Sequence, residues 1–337
     1  MSALPWHAGL LAELMARRDR MPHALMLHGR PGIGKVELAR AIAQSALCES
    51  PENNVACGKC AACNWFEQGN HPDYREIVPE AEAQDDEQEE GAEPEAKGEK
   101  KSVLIKVDQI RAVMDFMTLS THRAGFRVLL LHPAEALMAA SANALLKTLE
   151  EPPPKSLIIL VSDQPARLLP TIRSRCLKIA VPVPDAAVAR KWLEAQGVEN
   201  ATSTLAQAGG APLLALELGD ADAQAFRRKI TEELSRPTGA RVLNYSAGID
   251  REALEPFLYW VQTWVTDLAL ARSAGRVRHH LEHGEVLRKI AARCDVDRLF
   301  ALDDNLREAR RLALHPLNPR LLVESLLLAY NRAMRGT

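Results

Sequence analysis

Short apolar runs alternate with helical spacing through the first half of the chain. Ala24–His28 is apolar, Gly29–Lys35 is glycine-rich, and Val36–Cys48 repeats Leu38, Ile42 and Leu47 without Gly or Pro. Strand, loop, helix in that order opens an α/β fold. Val103–Val107, Arg127–Leu131 and Leu157–Val161 read as further buried strands, and Leu177–Val181 as a last one. Helical stretches, Gln109–Leu119 and Ala134–Leu149, lie between them. This alternation predicts a parallel sheet with helices on both faces. Pro182 and Pro184 then break the pattern and mark a boundary.

From Asp185 onward the strand signal stops. Asp185–Gln196 and Thr202–Leu218 read as short helices, the second broken into pieces by Gly209-Gly210 and Pro212. Leu254, Leu258, Val261, Val265 and Leu268 step by four and three, which is one face of a long amphipathic helix. Asn318-Pro319 is a helix start, and the apolar stretch Leu321–Met334 follows it. The domains expected are an α/β unit over 1–181, a small helical unit over 182–222 and a helical bundle over 223–337.

Composition agrees with a helix-rich protein, since aromatics are only 4 % of the 337 residues while Leu and Ala dominate. Net charge is −2 but uneven. The tract 80–101 holds ten acidic side chains against three lysines, so it carries −7 and the remainder +5. Its apolar content is almost all Ala, too little burial to offset ordering entropy, so it reads as a disordered surface insert. No run of 18 apolar residues exists, so no membrane span is expected. Met1–Gly9 lacks the basic-then-apolar order of a secretory signal. Together with four clustered cysteines, this predicts a cytoplasmic protein.

Gly29-Arg30-Pro31-Gly32-Ile33-Gly34-Lys35 fits the phosphate-loop pattern G-x-x-x-x-G-K. Gly29, Gly32 and Gly34 let backbone N–H groups turn inward around phosphate oxygens, and Lys35 adds a point charge. The eighth position is Val36, whose methyl groups cannot ligate Mg²⁺ as Ser or Thr would. Hydrolysis also needs carboxylates after a later strand. After Val128–Leu131 the chain continues His132-Pro133, and neither residue supplies one. Two independent losses predict that the architecture survives without hydrolysis. Whether ATP or ADP still binds is left open by the retained glycines and Lys35.

Cys48, Cys57, Cys60 and Cys63 are spaced C-x8-C-x2-C-x2-C, within a module of about residues 48–70. Two-residue gaps let thiolates converge on one ion, and four thiolates close a tetrahedral, structural site. Zn²⁺ fits this donor set best, and an iron–sulfur cluster also uses four cysteines. His71 is surplus to the ligand count and reads as a loop histidine. Cys294 reads as a buried core thiol.

These segments resemble the delta-prime subunits of the bacterial DNA polymerase III clamp loader, in the AAA+ superfamily. The resemblance is carried by Pro22-His23-Ala24, the cysteine module after the first helix of the α/β unit, Asn143–Pro153 (NALLKTLEEPP) and Thr171–Cys176 (TIRSRC). It implies an AAA+ module with an inserted four-cysteine zinc module, followed by all-α lid and collar domains. It further implies a hetero-pentamer with delta and ATP-hydrolysing tau/gamma subunits, which places the sliding clamp on primer-template DNA. Within it, Arg175 of the Ser-Arg-Cys motif is lent in trans to a neighbour's ATP. A guanidinium is suited to charge on a transferring γ-phosphoryl. Departures from the family pattern are the retained Lys35 and the acidic insert. Pro212 stands where active relatives carry a nucleotide-sensing arginine, and Ser162 takes a sensor-like strand-end position.

Two other function classes compete with this one. An autonomous ATPase using Lys35 is opposed by Val36, His132 and Pro133. A zinc-dependent nucleic-acid module would rest on Lys59, Trp65 and Phe66, which is thin for phosphate contact. Arg123 and Arg127 are candidates for weaker DNA contact.

Overall fold

Three of the apolar runs become neighbouring strands, buried throughout except at His28: β1 (Ala24–His28), β3 (Arg127–Leu131) and β4 (Ser156–Ser162). The structure is a computed structural model that describes residues 3–83, 101–118, 125–236, 246, 248–312 and 318–334. Two shorter strands, β2 (Tyr74–Ile77) and β5 (Leu177–Ala180), flank them. The five described strands run in parallel in the order β2-β3-β4-β1-β5. Side chains on a strand alternate between faces. Met26, Leu129, Leu131, Ile158 and Leu160 share one core with Ile110 of α4 (Val107–Thr118) and Leu145 and Leu149 of α5 (Ala139–Glu150). On the other face α2 (Lys35–Leu47) contacts β1, β3 and β4.

Two expectations are corrected. Val103–Val107 is not a strand: Ile105 makes one isolated bridge to Leu137, and α4 already begins at Val107. Its one bridge partner, Leu137, lies outside the strands, so this run takes no seat in the sheet. The seat belongs to β2, whose central Arg75 and Glu76 hide it from an apolar-run reading. The helix expected over 134–149 begins instead as a short 3-10 turn at Ala134–Ala136 and becomes α-helical at Ala139. The acidic tract lies outside the described residues from 84 to 100. Its base is closed by Ala81 N–H donating to Ser102 O at 3.0 Å and by Lys106 pairing with Glu80 at 2.9 Å.

The chain divides into two compact units, 1–185 and 186–337. In the second, α7 (Ala186–Ala195), α8 (Ala201–Gln207) and α9 (Pro212–Leu218) share a small core of Ala189, Leu193, Leu205 and Ala215. A larger core gathers around α11 (Arg251–Ala274), with α10 (Ala221–Ser235), α12 (Gly284–Ala291), α13 (Val296–Leu312) and α14 (Pro319–Met334). Its register is fixed by a buried chain in which Trp264 Nε1 donates to Tyr330 Oη at 3.0 Å and Tyr330 donates to Leu234 O at 2.7 Å. Asp267, fully buried, accepts the N–H groups of Arg278, His279 and His280 and so closes the turn after α11. Cys294 is buried in this core, as expected.

Candidate functional site

In a parallel sheet, ligands meet the loops at the carboxyl ends of the strands. Here β1 ends in the phosphate loop, β3 in His132-Pro133 and β4 in Ser162-Asp163. The register sets His28 beside Ser162 and Ala180, so the three ends of β1, β4 and β5 are level. Gly29 passes so close to the backbone after β5 that an added Cβ would lie 2.7 Å from Val181 O. Gly34 has φ +87°, a conformation open to glycine, and starts α2. The loop is therefore built as its sequence predicts.

What the loop presents is different. Lys35 is only 4 % exposed and turned inward: its Nζ donates to Arg30 O at 2.6 Å and forms an ion pair with Asp163. Asp163 is held by its neighbours, since Glu135 Oε1 accepts the N–H groups of Asp163 and Gln164 at 3.0 and 3.1 Å. Ser162 caps the strand end by accepting Gln164 N–H at 3.1 Å. The N-terminal segment lies on the other side of the loop. Trp6 Nε1 and His7 Nε2 both approach Ile33 O at 2.9 Å, and a Cβ on Gly34 would run into Leu4 and lie 3.0 Å from His7 Nε2. Burial holds the His7 imidazole below its ordinary value, which favours its neutral form.

The groups after β3 are likewise engaged within the chain. His132 Nε2 donates to Glu76 Oε1 at 2.7 Å, Arg40 Nη2 donates to the same oxygen at 2.6 Å, and Tyr74 Oη donates to Oε2 at 2.6 Å. Burial alone would raise the Glu76 carboxyl, but these three donors outweigh it and hold it at about 2. Glu76, Glu135 and Asp163 were not singled out from the sequence. Each follows or interrupts a strand as an ordinary acidic residue, and only the fold shows what it faces.

Arg175 sits in the last turn of the short helix α6 (Pro170–Arg175). Its Nη1 donates to Thr171 O at 3.0 Å, and its Nη2 pairs with Glu150 Oε1 at 2.6 Å. The side chain is 35 % exposed. Arg127 is corrected as a DNA-contact candidate. It is 2 % exposed, pairs with the equally buried Asp73 at 3.1 Å, donates to Phe116 O and lies 4.7 Å from the Phe116 ring. Arg123 lies outside the described residues.

The four cysteines converge as their spacing predicts. All four Sγ atoms lie within 4.8 Å of one another, with Cys48 3.6 Å from Cys57 and 3.8 Å from Cys60. A tetrahedral ion with bonds of ~2.3 Å sets sulfurs ~3.8 Å apart, so the set fits one metal ion. Backbone N–H groups of Lys59 and Cys60 point at Cys57 Sγ, and Cys63 N–H points at Cys60 Sγ, all at 3.4 Å. Such donors stabilise thiolates. His71 is not among the sulfurs: it is buried, and its Nδ1 accepts Asp73 N–H at 3.1 Å.

A phosphate loop between β1 and α2, on a five-stranded parallel sheet followed by a helical unit, defines an α/β protein of the phosphate-loop kind. The family described as "DNA polymerase III, delta subunit" matches residues 10–185, and its C-terminal counterpart matches 223–332. DNA polymerase III subunit delta' of Pseudomonas aeruginosa is 33 % identical, with 97 % of this chain and 96 % of that protein covered. The subunit delta' of Escherichia coli is 29 % identical, over 96 % and 94 %. A solved gamma-subunit-related protein of Thermotoga maritima superposes with TM-score 0.44 at 18 % identity, over 96 % and 99 % of the chains. The chain belongs to the delta-prime family of DNA polymerase III subunits. No helix among the described residues is long and apolar enough to cross a membrane.

Proposed function

We propose that this chain is the non-hydrolysing delta-prime arm of a clamp loader in the cytoplasm. It assembles with delta and tau/gamma subunits into a hetero-pentamer that loads the sliding clamp on primer-template DNA. The observation that carries the reading is the state of its own nucleotide end. Val36 offers no oxygen to Mg²⁺, His132 and Pro133 replace the carboxylates, and Lys35 is committed to Asp163. Arg175, by contrast, is held only by one surface carboxylate and one carbonyl, which suits a group lent to a neighbour's ATP. The helices over 182–222 serve as lid, and 223–337 as the collar that joins subunits. Two separate cores within 186–337 support that division.

The cysteine site holds Zn²⁺ in this reading. Its sulfurs are spaced for a single ion, whereas a multi-iron cluster would hold its cysteines further apart. Four protein thiolates leave no position for substrate, so the metal's part is structural.

Arg175→Ala tests the reading. The variant should fold and assemble, and DNA-stimulated ATPase of the reconstituted complex should fall by the share of the one site it serves. A guanidinium at that position is worth on the order of 10³-fold at its own site. Unchanged ATPase in an intact complex would remove Arg175 from the mechanism. The isolated chain should turn over no ATP above background, with Lys35→Ala indistinguishable from the wild type.

A further inference from the structure

We infer that the phosphate loop is closed by an internal ligand: the Asp163 carboxylate takes the place of a bound phosphate, and removing its charge opens an anion site on Lys35. The argument starts from burial. An ammonium removed from water needs a counter-charge, because leaving it unpaired costs several kcal/mol. Lys35 is 4 % exposed, and the partners found for its Nζ are the Asp163 carboxylate and Arg30 O. In a working phosphate loop the incoming phosphate supplies that counter-charge. Here it arrives on the chain itself, at the end of β4.

The internal ligand is anchored, not incidental. Asp163 follows Ser162, which lies opposite His28 in the register, so the carboxylate is delivered directly across from the loop. The backbone N–H of Asp163 is fixed by Glu135, from the segment after β3 where hydrolysing relatives of this fold would carry metal-handling acids. The same ion pair ties the loop to the β4–α6 connection, which leads into the helix that ends at Arg175. A nucleotide that comes and goes would make that tie conditional, whereas a carboxylate on the chain is always at hand. The N-terminal Leu4 and His7 cover the Gly34 turn from the other side, so a small anion is the ligand that fits an opened site.

The test uses the full chain and inorganic pyrophosphate, which needs no pocket for base or ribose. Asp163→Asn keeps the shape and removes the charge. By calorimetry, Asp163→Asn should bind pyrophosphate at least about tenfold more tightly than the wild type. Pyrophosphate should also raise its melting temperature while leaving that of the wild type unchanged. Adding Lys35→Met to Asp163→Asn should abolish both effects. Asp163→Ser serves as a second neutral replacement. The inference is overturned if the wild type binds pyrophosphate as tightly as the variants, if both folded variants bind no better, or if binding survives loss of Lys35. A reading that needs no variant is acylation of native wild-type lysines by an N-hydroxysuccinimide ester. Lys35 should stay protected with or without pyrophosphate while exposed Lys59 is modified. Labelling of Lys35 at the rate of Lys59 contradicts the closed loop. The inference shares the Lys35–Asp163 pair with the proposed function, but none of these measurements involves Arg175 or the assembled complex: their failure would remove that pair from its support and leave Val36, His132, Pro133 and the Arg175 test standing.

Discussion

Two parts of the first unit look like ligand sites in the sequence, and the structure treats them oppositely. At the cysteine module, four sulfurs converge within 4.8 Å, and the groups near them are backbone donors that favour thiolates. The site is shaped for something the chain does not contain. At the phosphate loop, the glycines keep their turn, but the lysine faces Asp163 and the histidine after β3 faces Glu76. That site is filled from within. A motif thus records the shape of a site, while the partners of its charged groups decide whether it is open.

The largest expected effect breaks the open side of this contrast. Cys60→Ser, or prolonged chelation, should remove about one zinc per chain by elemental analysis. It should also make residues 48–70 sensitive to protease, since the thiolates hold Cys48 and Cys57 against the turn that carries Cys60 and Cys63. Metal–thiolate sites in small peptides contribute ~10–16 kcal/mol to folding, so several kcal/mol are expected here. A chain that retains zinc and melts unchanged after Cys60→Ser would refute the four-thiolate site.

Next is Asp73→Asn, which breaks a charge pair supplied wholly from within. Asp73 and Arg127 are each 2 % exposed, and the guanidinium also packs 4.7 Å from the Phe116 ring. Leaving a buried arginine unpaired costs about 3–5 kcal/mol. The denaturation midpoint of the first unit should fall accordingly, with zinc content unchanged. A loss under ~1 kcal/mol would mean that water reaches the pair.

The third effect depends on pH. Glu76 is held at about 2 by His132, Arg40 and Tyr74 against the raising effect of burial. A carboxyl of the unfolded chain titrates near ~4.3. Because the folded value is lower, the stabilisation is fully present above the unfolded value and is lost as pH falls through the folded one. Glu76→Gln should therefore cost about 2 kcal/mol at neutral pH and much less near pH ~2. Equal cost at both pH values would show that the carboxylate's charge is irrelevant.

Much of this fold was legible because burial on both faces writes strands as unbroken apolar runs. Val128–Leu131 and Leu157–Val161 are such runs, and both are central strands. The edge strand β2 hides as Tyr-Arg-Glu-Ile, because it buries one residue on each face, Tyr74 and Ile77, with two charged residues between them. Val103–Val107 deceived for the converse reason: apolar residues at 103 and 104 are exposed beyond the sheet's end. The candidate sites show the same limit. Cysteine spacing constrains thiolates within one short segment, so their convergence could be read locally. Asp163 reaches Lys35 across more than a hundred residues, and no local pattern distinguishes it from a surface acid. Arg127 failed in the same way, since a charged residue at the start of a strand reads as solvated until its partner Asp73 is placed.

The smallest expected effect sharpens the contrast at Arg175. Its pairing with Glu150 resembles the Lys35–Asp163 pair in chemistry, and the two carboxylates are 50 % and 38 % exposed, but Arg175 is 35 % exposed where Lys35 is 4 %. Exposed pairs contribute about 0–1 kcal/mol, because water competes for both charges and two side chains lose freedom. Glu150→Gln should leave the melting temperature of the isolated chain nearly unchanged, whereas Asp163→Asn should lower it measurably. The hydrogen bond from Arg175 to Thr171 O survives the change, so α6 keeps its last turn. A cation held this loosely gives up little when it turns to a neighbour's phosphate, and a cation held as Lys35 is held gives up much. Should Glu150→Gln destabilise the chain as strongly as Asp163→Asn, Arg175 would be a structural residue like Lys35, and the division between a closed site and a lent arginine would fail.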